Sequence, residues 1–162
     1  ARLIQAGETP KFIARRLIIL ASEDIGNANP TALVIANNSF QSVINIGFPE
    51  ARIILSQCVI YLASSEKSNS AYKAINKAQH MVNETGNLKV PLSLRNAPTK
   101  LMKDMGYGKD YKYSHDYDKN FISQEFLPDE ISGSKIYEPS NNLKENKLRE
   151  FLKLKWKDKY KY

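Results

Sequence analysis

Apolar residues recur at helical spacing through the first half of the chain, and prolines and glycines separate the runs. Capping residues and prolines mark three helix starts, at Thr9-Pro10, Asn29-Pro30 and Pro49. Glycines that can end a helix in the left-handed conformation follow three of the runs, at Gly26, Gly47 and Gly86. The pattern predicts four helices of about 13–17 residues with short linkers, packed as an orthogonal bundle.

The third of these helices differs from the others in its apolar pattern. Helices one, two and four are amphipathic, with one apolar stripe and one polar face. The third reads ARIILSQCVIYLA and is apolar nearly all round. Because a helix of this kind is buried on every side, we predict that it is the central and most buried helix.

After Gly86 the helical pattern weakens. The stretch PTKLMKDMG predicts a short helix capped by Thr99, and a last helix is predicted from about residue 142 to 158. The stretches YKYSHDY and SKIYEPS alternate like short strands and predict a small two-stranded ribbon. The predicted fold class is therefore all-α: an orthogonal bundle of four main helices, a short helix, the ribbon and a C-terminal helix.

Composition limits the classes of function. The chain has 162 residues and one cysteine, Cys58, which lies among apolar neighbours and is predicted to be a buried, inert thiol. No apolar run approaches the roughly 20 residues that span a bilayer, so no membrane partner is expected. Residues 144–162 hold eight Lys or Arg against three acids. This basic end favours either a polyanionic partner or a solvated, poorly ordered tail.

Residues for catalysis or metal binding are sparse. GYGKDY at 106–111 lacks the strand and the Lys-Ser/Thr pair of a phosphate loop. His80 and His115 lie far apart in the sequence, and Cys58 has no base beside it. We therefore expect no catalytic, metal or cofactor-binding residue in this chain.

Nucleic-acid binding is the better-supported chemistry. Lysines and tyrosines alternate through residues 95–119, as single-strand binding requires, although aspartates offset much of the charge. The candidate DNA or partner contacts are Arg95, Lys100, Lys103, Tyr107 and Lys109, with Lys153 and Lys157 from the basic end. The tyrosines either stack on bases or pack one face of the ribbon against the helices.

Four further polar residues are assigned structural roles. Asp24 falls near the apolar face of the first helix, and a buried carboxylate needs a cation, which Arg16 or Arg95 could supply. Asn96 and His115 complete this set of predicted structural residues.

Four stretches together resemble a known family. They are GETPKFIARRLIILASEDIGNANP, GFPEARIILSQCVIYLASSEKSNSAYKA, VPLSLRNAPTKLMKDMGYGKDYKYSHD and FLPDEISGSKIYEPS. This combination resembles the C-terminal domain of the replication-associated recombination protein A family. These are AAA+ ATPases, also called MgsA or RarA, related to the eukaryotic Werner helicase-interacting protein. The resemblance covers residues 7–140, with Thr9 and Ser93 as small departures from the family pattern.

The resemblance implies a helical oligomerisation domain at 1–140, which forms a homotetramer, followed by a basic C-terminal helix or tail at 141–162. It implies a fragment that is not itself an enzyme, because the family's ATPase domain, which binds ATP and magnesium, precedes this region. It further implies a clamp-loader-like, DNA-dependent protein of the bacterial cytoplasm, associated with the nucleoid. Its expected partners are single-strand/double-strand DNA junctions at stalled forks and the single-strand-binding protein.

Three hypotheses follow from these observations. The chain is a self-association module, or a nucleic-acid-binding module that uses its basic end and its Lys/Tyr segment. These two are compatible. The third, a small standalone enzyme, has no residue pattern in its favour.

Overall fold

The computed structural model describes all 162 residues and contains helices and turns but no strand. Seven α-helices follow one another: α1 Arg2–Gln5, α2 Pro10–Leu20, α3 Thr31–Ile46, α4 Ala51–Ala63, α5 Ser70–Thr85, α6 Lys100–Asp104 and α7 Leu143–Trp156. The predicted all-α class is confirmed. None of the helices is long and apolar enough to cross a membrane.

The predicted two-stranded ribbon is absent. Asp110 has a φ of 62°, and a 3₁₀ turn at Ser114–Asp116 interrupts the first tyrosine-rich stretch. Residues 134–140 have no regular structure. Tyrosine alternation favours an extended backbone, but a strand also needs a partner to take up its hydrogen bonds, and neither stretch has one.

Local capping sets the helix starts that the sequence predicts. The Thr9 hydroxyl oxygen accepts a hydrogen bond from the Phe12 N–H at 3.3 Å, with Pro10 as the first helical residue. Thr99 caps α6 in the same way through the Met102 N–H, also at 3.3 Å. Both predicted N-caps are therefore confirmed.

The chain divides into two compact units. The first contains residues 1–75 and 137–148, and the second contains residues 76–136 and 149–162. The core of the first unit lies among α2, α3 and α4 and is built from small side chains that let helices approach closely: Ala14, Ala21, Ala32, Ala36, Ala51 and Cys58. Burial raises the pKa of the Cys58 thiol, and a hydrogen bond with Ser39 opposes that shift only in part. The thiol is therefore buried and unreactive, as predicted.

Helix α4 contains more fully buried residues than any other helix, but the prediction that it is buried on every side is wrong. One stripe is covered, consisting of Ala51, Leu55, Cys58 and Leu62. The opposite face is open, with Ile53 63% exposed and Ile60 66% exposed. An apolar pattern all round a helix shows that exposure to water is unfavourable on every side. It does not show that residues of the same chain cover every side.

A buried carboxylate holds the last segment of the first unit. Glu145 is fully buried, and its carboxylate accepts hydrogen bonds from the Ser70 hydroxyl, from the Tyr137 hydroxyl at 2.8 Å and from the Asn142 amide at 2.6 Å. Burial alone would raise the pKa of Glu145. Hydrogen bonds from Ser68, Ser70, Tyr137 and Asn142 outweigh it and lower that pKa to about 2.

An aromatic cluster at the C-terminus stabilises the second unit. Trp156 makes edge-to-face contacts with Phe121 and Tyr160, each with ring centroids 5.1 Å apart. Lys159 forms an ion pair with Glu125 at 3.3 Å, which ties the chain end to the preceding loop. The basic C-terminus is thus ordered against its own unit.

Candidate functional site

A groove lined by basic residues crosses the second unit. It consists of two cavities, of about 820 Å³ and 770 Å³, that share Leu92 and Met105. We call it the basic groove. Its cationic residues are Lys89, Arg95, Lys103, Lys109 and Lys112.

The turn after α6 shapes this groove. The Tyr107 N–H donates to the Met102 carbonyl at 3.0 Å, and the Gly108 N–H donates to the Leu92 carbonyl at 2.8 Å. Gly108 has a φ of 72°, and a Cβ there would lie 3.4 Å from the Arg95 carbonyl oxygen. The space would accept a Cβ, so it is the left-handed conformation of the turn that favours glycine at this position.

Arg95 is held rigidly in the groove. Its Nε donates a hydrogen bond to the Val90 carbonyl at 2.7 Å. Its guanidinium carbon lies 5.0 Å from the centroid of the Tyr107 ring. The contact is a cation–π interaction, and together with the hydrogen bond it holds the guanidinium at the Tyr107 ring.

Three carboxylates also line the groove, but the negative charge of one of them is offset by an ion pair within the protein. Asp104, Asp110 and Glu125 oppose the five cations. Glu125 accepts hydrogen bonds from the Ser132 hydroxyl at 2.7 Å and from backbone N–H groups, besides its ion pair with Lys159. Burial raises the pKa of Glu125, but these hydrogen bonds dominate and lower it to about 2. The groove therefore keeps a net positive charge.

The tyrosines beside the groove are open to solvent. Tyr111 is 55% exposed and Tyr113 is 53% exposed, so the prediction that they pack a ribbon against the helices is wrong. Tyr113 contacts the His115 ring at 5.0 Å between centroids. Lys112, which lines the groove, lies between the two tyrosines in the sequence.

The structure brings together four of the seven predicted contact residues, Arg95, Lys103, Tyr107 and Lys109. Lys100 lies on α6 but outside the groove lining. Lys153 forms an ion pair with Glu150 at 3.5 Å on α7, and Lys157 follows that helix with a φ of 49°. Neither of these two lines the groove.

The residues predicted to be structural have different surroundings. Arg16 and Asp24 are both exposed, so the expectation of a buried ion pair at Asp24 is wrong. Helix α2 continues into a π-helical turn at Ala21–Ile25, and Asp24 lies exposed in that turn. Asn96 lines the groove, and His115 is exposed beside Tyr113.

The sequence reasoning missed Glu145 as a buried residue. A signal was present, because Asn142 and Glu145 have the spacing of a helix N-cap and its third residue. The Asn142 side-chain oxygen accepts the Glu145 N–H at 2.9 Å, as such a cap requires. No group of three or more His, Cys, Asp or Glu side chains is placed to hold a metal ion.

Comparisons with known proteins agree with this helical architecture. The family model described as MgsA AAA+ ATPase C terminal matches residues 1–156. Replication-associated recombination protein A of Coxiella burnetii is 45% identical over 153 residues, which is 94% of this chain and 35% of that protein. The protein of the same name in Escherichia coli K12 is 41% identical over 157 residues, or 96% of this chain and 35% of that protein.

A eukaryotic relative is also similar. ATPase WRNIP1 of Dictyostelium discoideum is 41% identical over 138 residues, which is 85% of this chain and 16% of that protein.

The chain spans about a third of the length of the bacterial relatives. It is therefore a helical C-terminal domain of the kind found in AAA+ ATPases. The chain belongs to the MgsA AAA+ ATPase C-terminal family, as its sequence stretches indicated.

Proposed function

We propose that this chain is the self-association module of a clamp-loader-like, DNA-dependent AAA+ ATPase and that it forms a homotetramer. The bacterial relatives are named for replication-associated recombination, which supports a role in replication and recombination at stalled forks. ATP and magnesium would bind a separate ATPase domain, and this chain would not hydrolyse ATP. The single-strand-binding protein is proposed as a partner of the whole protein, in the nucleoid region of the bacterial cytoplasm.

The open face of α4 is the observation that carries this proposal. Ile53 and Ile60 are seven residues apart, so they lie on one line of the helix, opposite the covered stripe. Complete burial of an aliphatic side chain contributes roughly 1.5–3 kcal/mol. Covering Ile53 and Ile60, which are already partly buried, would contribute roughly 2–4 kcal/mol per protomer. A second copy of the chain, which has the same apolar face, would cover α4 in a symmetric pair, and a further contact between two such pairs would complete the tetramer.

The combined change Ile53→Asp and Ile60→Asp is expected to prevent assembly. Two carboxylates in an apolar interface lose water without gaining partners, so the dissociation constant should rise by about a hundredfold or more. Sedimentation velocity across a concentration series measures this effect. Both positions are exposed in the protomer, so its fold should be unchanged in circular dichroism.

Leu154→Asp provides a matched control for this pair of changes. Leu154 is 74% exposed and lies on α7 in the second unit. The same loss of an aliphatic side chain there should leave the assembly state unchanged. If the α4 variant and the Leu154 variant assemble equally well, α4 is not the interface.

A second candidate function is nucleic-acid binding through the basic groove, with single-strand/double-strand junctions as the proposed substrate. The five cations that line the groove support it. Phosphate contacts release counterions, so affinity would fall steeply as salt rises. Removing the basic end would be a poor test, because it would also remove Glu145, which has hydrogen-bond partners within the first unit, and Trp156, which packs on Phe121 within the second.

Charge reversal tests the groove without truncation. Lys103→Glu combined with Lys109→Glu should weaken binding of a forked oligonucleotide by about a hundredfold at low salt and flatten its salt dependence. Fluorescence anisotropy measures both effects. Lys67→Glu combined with Lys73→Glu makes the same change of charge at exposed positions of the first unit. Equal losses in the two double variants would show that binding depends on total charge and not on the groove.

A further inference from the structure

We infer that the stacked pair of Arg95 and Tyr107 is a base-stacking position for single-stranded nucleic acid in the basic groove. The inference rests on the nucleic-acid function proposed above and specifies the substrate class. Both side chains line the groove, so a base that enters it meets a planar cation and an aromatic ring side by side. Nucleobases stack on guanidinium planes as well as on aromatic rings.

The geometry is preorganised for a flat ligand. The hydrogen bond from Arg95 Nε to the Val90 carbonyl and the contact with the Tyr107 ring leave the guanidinium little freedom. Binding therefore requires little further ordering of this side chain. No carboxylate forms an ion pair with Arg95, so its charge is not neutralised within the protein.

The surroundings of the pair suit a base more than a phosphate. Val90, Leu92 and Met105 give this part of the groove an apolar lining. Its volume of about 770 Å³ lies in the range of small-molecule sites, so a nucleoside fits. The lysines that can meet phosphates, Lys103, Lys109 and Lys112, line the adjoining cavity. Lys89 lines the same cavity as the pair, and three carboxylates share the adjoining one with its lysines, so the base position and the phosphate contacts are neighbours within one groove.

Single strands fit this arrangement better than duplexes. In a duplex the faces of the bases are covered by their neighbours, whereas an unpaired base can turn its face towards a stacking partner. The exposed rings of Tyr111 and Tyr113 follow Lys109 along the chain and offer further stacking surfaces. Since every base has a flat face, the site should have little sequence preference.

The test compares strands that contain bases with a strand that has none. Fluorescence anisotropy at low salt would measure binding of labelled oligo-dT, oligo-U and an abasic deoxyribose-phosphate strand of equal length to the 162-residue chain. We expect at least one of the two base-containing strands to bind about tenfold more tightly than the abasic strand. Whichever of these two strands binds more tightly identifies the substrate as DNA or as RNA. Equal binding of all three strands overturns the stacking site but leaves the phosphate-binding groove intact, and binding of none overturns both.

Variants assign the preference to the pair. Tyr107→Leu and Arg95→Lys should each lower affinity for the preferred base-containing strand about tenfold and leave abasic binding nearly unchanged, because each removes a flat surface and keeps the total charge. Lys109→Ala, the matched phosphate-contact variant, should weaken both strands by the same factor. If Arg95→Lys keeps the full preference for bases, the assignment to this pair is wrong. If Tyr107→Leu fails to fold, the comparison of Arg95→Lys with the wild type still decides whether the pair is the stacking site.

Discussion

Replacing Gly26 with alanine is expected to lower the free energy of unfolding by about 4 kcal/mol. Gly26 has a φ of 47° and a ψ of −130°, a conformation that side chains strongly disfavour. A Cβ there would lie 2.7 Å from the backbone carbonyl oxygen of Ser68, which cannot move without disturbing the hydrogen bond from the Ser68 N–H to the Asp24 carbonyl. The free-energy cost of the backbone strain and the cost of the clash therefore add.

Gly7→Ala separates these two contributions. Gly7 has a φ of 82°, and nothing lies within 4 Å of a Cβ added there. It should cost about 1–2 kcal/mol, from backbone strain alone. Urea unfolding of both variants at one fixed protein concentration provides the comparison, because assembly makes stability depend on concentration. Equal losses at the two glycines would show that the contact with Ser68 costs nothing.

Acid is expected to destabilise the first unit through Glu145. Its folded pKa of about 2 lies below the ordinary value of 4.5 for a glutamate carboxyl. The folded state therefore favours the charged carboxylate, and the resulting stability is fully present above pH 4.5 and is lost as the pH falls towards 2. A difference of this size corresponds to about 3 kcal/mol. Urea unfolding at a series of pH values measures this loss.

The variant Glu145→Gln isolates that contribution. It should cost about 2 kcal/mol at neutral pH, because the Asn142 amide then faces another amide N–H₂ group in place of an acceptor. It should also flatten the stability profile between pH 4.5 and 2. Glu125→Gln is the comparator, since the pKa of Glu125 is lowered to about 2 as well, but in the second unit. A Glu145→Gln profile parallel to the wild type would contradict the role of the buried carboxylate.

Features with local causes could be predicted from the sequence. Thr9 and Thr99 cap the helices that follow them because the cap and the N–H it accepts from are three residues apart. The groove residues from Arg95 to Lys109 are also close in sequence, so their clustering was predicted from composition. Their order along the chain did not reveal the cation–π contact between Arg95 and Tyr107. That contact depends on the turn at Gly106 and Gly108.

Features with distant partners could not be predicted in the same way. The tyrosine-rich stretch has strand-like alternation, but it finds no partner strand and stays exposed. The apolar pattern of α4 predicted burial on every side, but this chain covers only one stripe of the helix. Glu145 takes its partners Ser70 and Tyr137 from other parts of the sequence, and only its Asn142 contact has a recognisable spacing.

The central claim is that the open face of α4 is covered by further copies of the same chain. Multi-angle light scattering of the 162-residue chain, over a concentration series and at low and high salt, tests it most directly. We expect four times the protomer mass at micromolar concentration, unchanged by salt, because an apolar interface is not screened. A protomer mass that persists at high micromolar concentration in both salts would contradict it.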